Sequence, residues 1–470
     1  MKKIAPLLSI VFTVYLGFGQ QMVLPKGKVI DSLKIHDSIP GTYSLYLPKN
    51  FETSKKWPLL FVFDFDGEPE CLTASFVPAV EEEGYVLATL ALSDTVSLTN
   101  NMIKTGKALE RVAKTLPINT SRIYTSGKNS GARYASLTPI FLKGVQGIIS
   151  INASIVNTEL LNAKKPFHYV GVVQEDSYVY SEMLGTQKVL NRYKFPNQVL
   201  IVDKEENDLA KPYLKKAMQI FTLSAMGKGW TIKDSVYIEN LYQKDVLKVS
   251  QLKAKGQLIL AEQYLKELFS IYGIHKNLDS LRGVQRELRK DRTFKAMKRA
   301  ENSTFFKESL LKEDFAYYMD EDVRTHNFNN LGWWNYQMNE IDKFINGPNI
   351  HEKKMGNRLK GYVNALAEDT IDLVSSEELV DEDALAFLYM LKTLTAPQDF
   401  DYYLNIISLS AKNEDFGTSL FYLEEALKKG FKDTEKLYGL ENTALLRINP
   451  KFNSLMAKYL KESRYEINEE

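Results

Sequence analysis

The chain has 470 residues, more than one hydrophobic core usually supports, so two domains are expected before any motif is read. Its 44% hydrophobic and 25% charged residues exclude a disordered or coiled-coil chain. Near-equal acids and bases leave a formal charge of +1, which gives no global field for nucleic acid or anionic lipid, so no nucleic-acid partner is expected.

A lone cysteine, Cys71, excludes an intramolecular disulfide framework and a multi-cysteine zinc site, and it is read as a core residue. The first residues have the layout of a signal peptide over 1–19. Lys2 and Lys3 form a basic region, Ile4 to Leu16 is mostly apolar, and Gly17 and Gly19 are small residues at the positions a signal peptidase reads. Cleavage before Gln20 follows, with an apolar first helix of the fold as the alternative. No cysteine stands after the apolar run to take a lipid anchor, and no later stretch is apolar for the ~18 residues a membrane helix requires. A periplasmic or secreted location is therefore expected, without a membrane span.

After a short polar lead, Gly41 to Pro48 alternates apolar and polar residues, as a half-exposed edge strand does. Pro58 to Phe65 is a continuous apolar run of strand length, expected of a parallel strand buried on both faces. Helical spacing follows at Phe76–Glu83, which ends at Gly84. Tyr85–Leu92 is a second buried strand, and Met102–Leu116 a second helix stopped by Pro117. Arg122–Thr125 reads as a strand, with a helix from Ala132. Val145–Ala153 and Phe167–Val173 are further strands, Val179–Arg192 a helix, and Gln198–Asp203 the last strand, with a helix over Lys211–Met226. This alternation predicts a doubly wound, mostly parallel α/β sheet over residues 22–228.

Between Arg122 and Ser136 the sequence has strand, sharp turn and helix, with Gly127 and Gly131 around Lys128, Asn129 and Ser130. In a G-x-S-x-G elbow the glycines let the chain turn without a Cβ clash and thrust the central side chain above the sheet. With the Tyr46-Leu47-Pro48 entry strand and the Asp66-Gly67 turn, the region resembles the α/β-hydrolase family, in its secreted bacterial esterase and polyhydroxyalkanoate-depolymerase-like branch. Gly127, Gly131, Ala132 and Arg133 carry the likeness at the elbow. The resemblance implies a nucleophile at Asn129, an oxyanion loop at Asp66 and Gly67, an acid at Asp176, and a histidine base on the loop after the last strand.

Three of those positions depart from the pattern. An amide nitrogen is delocalised into its carbonyl, so Asn129 cannot form an acyl-enzyme. Asp64, Asp66 and Glu68 put negative charge beside a site meant to stabilise an anion. The base position, at Asn207 and Asp208, has no histidine. His36 precedes the expected sheet, His168 opens a strand at the end opposite the elbow, and His275, His326 and His351 lie in the helical half. Ser130 is an alternative nucleophile one residue out of place, and Asp176 is equally readable as a cap for the helix at Val179. No metal site or cofactor is expected, since the carboxylate clusters Glu81-Glu82-Glu83, Glu313-Asp314 and Asp320-Glu321-Asp322 read as solvated faces.

From about Tyr237 to the end the spacing is helical throughout. The basic run from Arg286 to Arg299 reads as a solvated helix face, and Trp333-Trp334 as core. Near 399–430, Tyr402 to Asn405, the turn Asn413 to Asp415, and the small residues Ser419 and Ala426 resemble a tetratricopeptide (TPR) hairpin. A single such hairpin in a helical bundle and a degenerate repeat array both remain open. The expected function is binding or scaffolding, through a protein or peptide partner on the helical part or a small ligand in the vestigial crevice. The alternative is a secreted carboxylesterase acting through Ser130.

Overall fold

The computed structural model describes residues 24–36, 38–202, 211–461 and 464. The signal-peptide reading of 1–19 lies outside them. Eight strands form one sheet: β1 Val29–Lys34, β2 Thr42–Tyr46, β3 Trp57–Asp64, β4 Val86–Ala91, β5 Ile118–Lys128, β6 Val145–Ile151, β7 His168–Gln174 and β8 Asn197–Val202. Their order across the sheet is β1-β2-β4-β3-β5-β6-β7-β8, antiparallel only where β2 meets β1 and β4. Helices α1 Pro69–Glu83, α2 Leu98–Thr115, α3 Ser130–Phe141 and α4 Tyr180–Arg192 join strands of the sheet, and α5 Lys211–Gly227 follows β8.

Strand β3 explains why the sheet needs covering on both faces. Leu60 and Val62 enter a core with Phe76, Val80, Met218 and Phe221 of α1 and α5, whereas Phe61 and Phe63 face Ala108, Val112 and Tyr134 of α2 and α3. Side chains alternate along a strand, so an unbroken apolar run is stable only between two layers.

Several elements differ from the sequence reading. The lead before Gly41 contains β1, so Thr42–Tyr46 is the second strand and not the edge. Its VIDSLK sequence gives weak alternation, and pairing with β2 supplies the order instead. His36 accordingly follows the first strand. Cys71 is exposed, because α1 turns Thr73, Phe76, Ala79 and Val80 to the core and presents the opposite side to solvent. The Glu81 to Glu83 run is not a free solvated face. Glu81 accepts from the Tyr46 hydroxyl at 2.6 Å, Glu83 accepts from the Tyr237 hydroxyl at 2.6 Å and from Gln219 at 2.8 Å, and Glu82 pairs with Lys215.

The remaining helices are α6 Ser235–Ala254, α7 Leu258–Tyr272, α8 Asp279–Lys290, α9 Arg292–Thr325, α10 Leu331–Asn346, α11 Ile350–Ser375, α12 Glu382–Thr395, α13 Phe400–Lys412, α14 Phe416–Lys428, α15 Thr434–Tyr438, α16 Ala444–Arg447 and α17 Pro450–Leu460. The all-helical expectation from Tyr237 holds over the described residues. Trp334 is fully buried, and its indole N–H donates to Asp322 at 2.8 Å. Asp322 also accepts from Asn327 and Asn330 and is buried, so this acidic cluster too is partly internal. Ser419 and Ala426 are fully buried where α14 meets α13, and the Ser419 hydroxyl donates to the Ile407 carbonyl at 3.3 Å. Among the described residues no helix is long and apolar enough to cross a membrane.

Secondary structure changes character after α5, but the apolar core does not stop there. Ile238, Leu241 and Leu252 of α6 and Leu265 and Leu268 of α7 share one cluster with Leu200, Met218 and Phe221 of the α/β layer. A nick in the connection at Lys228 to Asp234 is therefore expected to leave two fragments that still co-elute in size-exclusion chromatography. Separation of the halves without denaturant would show that this shared core does not hold them.

Candidate functional site

The elbow is built by two close approaches. A Cβ on Gly127 would lie 2.2 Å from the Gly131 carbonyl carbon, and one on Gly131 would lie 2.3 Å from the Phe63 carbonyl oxygen. Both distances are far below van der Waals contact, so only glycine lets β5 turn into α3 while touching β3. Between them Asn129 has φ 48° and ψ −116°, a conformation an L side chain rarely adopts, and its N–H donates to the Ile151 carbonyl at 3.0 Å. The strained turn of a nucleophile elbow is thus present with an amide at its tip.

That amide is not free. Asn129 Oδ1 accepts from Asn152 Nδ2 at 3.0 Å, and Asn152 Oδ1 accepts from the Ser177 hydroxyl at 2.5 Å. The three residues stand at the C-terminal ends of β5, β6 and β7, where parallel strands bring successive loops together. Asn152 also has positive φ, 53°, and its N–H donates to the Val172 carbonyl at 2.9 Å. Asn152 and Ser177 carry no recognisable motif; an asparagine just past a strand is the only local hint of a left-handed turn.

Ser130 is exposed on the first turn of α3, one residue from the apex. Asp66 and Gly67 are exposed on the loop after β3, with Gly67 at φ 78°. The Asp66 N–H turns inward to Asp64 Oδ1 at 3.3 Å, so at least one donor of this loop serves a carboxylate of the chain itself. Asp64 is buried, its Oδ2 has no hydrogen-bond partner, and burial raises its pKa, while the neighbouring backbone N–H groups oppose that shift. Asp176 is half-buried on the loop between β7 and α4. The N-cap of α4 is Val179, three residues after Asp176. The base positions Asn207 and Asp208 lie outside the described residues.

No histidine of the described helices meets the elbow. His275 contacts the Leu223 carbonyl, His326 pairs with Asp381, and His351 lines a 300 Å³ cavity with Tyr180, Phe305 and Arg358. Among the described residues no group of three or more His, Cys, Asp or Glu side chains could hold a metal ion.

The acid loop is gripped from the helical side. Arg358 of α11, 4% exposed, donates to the Glu175 carbonyl at 2.8 Å and to Glu308 Oε2 at 2.8 Å, with the faces of Tyr180 and Phe305 beside its guanidinium. Lys312 of α9 donates to the Tyr178 carbonyl at 3.1 Å and the Ser181 hydroxyl at 3.0 Å, and Lys354 pairs with Glu175 at 2.6 Å. A larger cavity, 560 Å³, has Glu175 and Asp176 at one side and Val199 to Val202 of β8 at another. Of the expected site residues that are described, only Asp176 lines it; Asn129, Ser130, Asp66 and Gly67 do not. The crevice is thus displaced from the elbow toward β8.

No protein-family model matches the chain, and no curated protein does. Solved structures that resemble it include a fluorophosphonate-binding serine hydrolase of Staphylococcus aureus (10% identity, 42% of this chain and 99% of that one, TM-score 0.35). A feruloyl esterase module of Clostridium thermocellum (10% identity, 41% and 87%, TM-score 0.34) and an esterase of Pyrobaculum calidifontis (11%, 44% and 88%, TM-score 0.35) are others. The class itself rests on this chain's own strand order and elbow: an α/β-hydrolase-like sheet followed by an all-helical region.

Two measurements follow from this geometry. Gly131→Ala should cost more than ~3 kcal/mol or prevent folding, since its Cβ meets backbone, whereas Gly67→Ala, with open space but positive φ, should cost about 1 kcal/mol in chemical denaturation. Equal losses would show that the elbow is not sterically closed.

The second concerns pH. Burial holds His168 down, from 6.5 to about 4, and pushes Glu267 up, from 4.5 to about 7. As pH falls from 6.5 to 4 the unfolded chain takes a proton that folded His168 refuses, so stability is lost toward acid. Between 4.5 and 7 folded Glu267 keeps a proton that the unfolded chain has released, so its contribution is complete below 4.5 and lost as pH rises through 7. The two oppose each other in the shared window. Glu267→Gln should therefore steepen the rise of unfolding free energy between pH 4.5 and 6.5, by on the order of 1 to 3 kcal/mol. Parallel profiles for parent and variant would refute this.

Proposed function

We propose that the chain is an exported, non-catalytic α/β-hydrolase-like protein that acts as a binding or scaffold module. The observation that carries the reading is the apex of the elbow: Asn129 stands where a nucleophile would, with its side-chain oxygen held by Asn152 at 3.0 Å. The amide nitrogen has its lone pair delocalised into the carbonyl and takes no proton near neutral pH, so the chain of Asn129, Asn152 and Ser177 is a fixed hydrogen-bond network and not a relay. Asp64 adds support, because it draws a backbone donor of the oxyanion loop to itself.

Export, to the periplasm or medium, rests on the basic and apolar pattern of Lys2 to Gly19. Partner binding rests on the helical half, whose α13–α14 hairpin is TPR-like in its small buried contacts Ser419 and Ala426. Between α12, α13 and α14 lies a groove of 620 Å³ bordered by Phe328, Met390 and Phe421, the concave setting in which such hairpins take peptides.

Full-length protein treated with a fluorophosphonate probe should remain unlabelled, and activated esters should be hydrolysed at the background rate. Asn129→Ser alone should stay silent too, since an isolated hydroxyl without a base gains little. Labelling of the parent that Ser130→Ala abolishes would overturn the reading in favour of a carboxylesterase whose nucleophile is displaced by one residue.

A further inference from the structure

We propose that the space between the open edge of β8 and the diverging helix α7 binds a short extended peptide with apolar side chains and a carboxylate. The proposal rests on the binding reading above and names a ligand class for a second site, apart from the groove between α12, α13 and α14.

Among the described residues β8 is the last strand of the sheet. The Tyr169 N–H donates to the Pro196 carbonyl, and the parallel register then turns Gln198, Leu200 and Val202 toward β7. The peptide groups of Val199 and Ile201 consequently face outward. Helix α7 runs antiparallel along that edge and covers its first part. Gln198 Nε2 donates to the Ser270 hydroxyl at 3.0 Å, and the Val199 N–H meets Glu267 Oε1 at 3.4 Å.

Farther along the strand the cover opens. The next outward group, Ile201, lies about 6.6 Å beyond Val199, and four residues back from Glu267 along the helix, about 6 Å, stands Gln263. Leu260 and Gln257 continue the same face of the helix. The cavity of 560 Å³ fills this gap. Gln263 Nε2 and Gln257 Oε1 line it, are buried, and have no hydrogen-bond partner.

One unmet donor and one unmet acceptor beside an open strand edge define the ligand's chemistry. A peptide group supplies a carbonyl for Gln263 and an N–H for Gln257, and a further one can pair with Ile201 as an added strand does. A hydrocarbon acid supplies no N–H. Leu252, Leu260, Tyr264 and Ile350 offer apolar walls for its side chains.

Charge completes the description. Lys216 and Lys354 on the lining are matched by Asp245 and Glu175. Lys248 and Lys353 also line the cavity and make no ion pair among the described residues, which leaves two cations for a ligand carboxylate. Three carboxylates share the lining and each is engaged within the chain: Glu175 pairs with Lys354, buried Glu267 accepts from Gln187 and Val199, and Asp176 is not free either. Beyond the covered Val199, the strand residues Leu200 to Val202 offer roughly 10 Å of edge, the length of about three peptide residues.

The test is isothermal titration calorimetry on the full chain with an acetylated four-residue peptide of alternating leucine and valine ending in a free carboxyl group. Binding is expected, weakened about tenfold or more by Gln263→Leu and by Lys248→Ala, and likewise by amidation of the peptide's carboxyl terminus. N-methylation of its central peptide bond should abolish binding to the unaltered protein, a result independent of whether any variant folds. Absence of binding, equal binding of the N-methylated peptide, or equal binding of octanoate would overturn the proposal. Fluorophosphonate labelling of the same samples keeps the two readings apart. A labelled protein that still binds peptide overturns only the non-catalytic reading, and an unlabelled one that binds none overturns only the peptide site.

Discussion

The contact on which the rest of the α/β layer depends is the passage of α3 against the backbone of β3 and β5 at Gly127 and Gly131. Without side chains there, three main chains meet at distances no Cβ could tolerate, and Asn129 is forced to positive φ at the apex. The turn fixes the height at which β5 ends relative to β6, because the Asn129 N–H is spent on the Ile151 carbonyl. Strain of this kind, on the order of 1 to 3 kcal/mol, persists only where surrounding packing over-determines it. Here the strained apex holds an amide hydrogen-bonded to its neighbour Asn152.

From that apex the polar contacts run sideways across the strand ends and then out of the sheet. Asn152 and Ser177 continue the chain to the loop between β7 and α4, and Arg358, Lys312 and Lys354 take hold of that loop from α9 and α11. Arg358 and Glu308 are both almost wholly buried. A pair so placed contributes little net stability once desolvation is counted, but losing one partner would strand a buried charge. Its consequence is positional: Arg358 ties Glu308 of α9 and the Glu175 carbonyl of the acid loop to α11. The helical half is thus not a passive appendage to the sheet, and the shared apolar core under α6 and α7 leads to the same conclusion from a different set of contacts.

Much of the fold was legible in the sequence because its signals are local. Apolar runs such as Pro58 to Phe65 specify buried strands, Gly84 and Pro117 mark element ends, and paired glycines around a three-residue turn mark the elbow. Where the local signal was weak the reading failed. Strand β1 has a polar, barely alternating sequence and becomes a strand through pairing with β2. Cys71 has the composition of a core residue but sits on the solvent side of α1, and the helix phase alone decides that. Glu81, Glu83 and Asp322 look like solvated charge in one dimension, yet meet hydroxyl, amide and indole donors brought from other elements.

The sequence by itself determined the layered α/β class and the glycine spacing of the elbow with an amide at its centre, because each depends on residue type and on spacing within a short segment. Tertiary structure alone decided which side chains answer one another across the strand ends, and that the cavity lies along β8 and not above Asn129. Those facts depend on the angle at which α7 leaves the sheet edge and on the height of α11 over the acid loop. Such angles are set by packing among residues from 68 to 183 positions apart, and no periodicity within one segment encodes them.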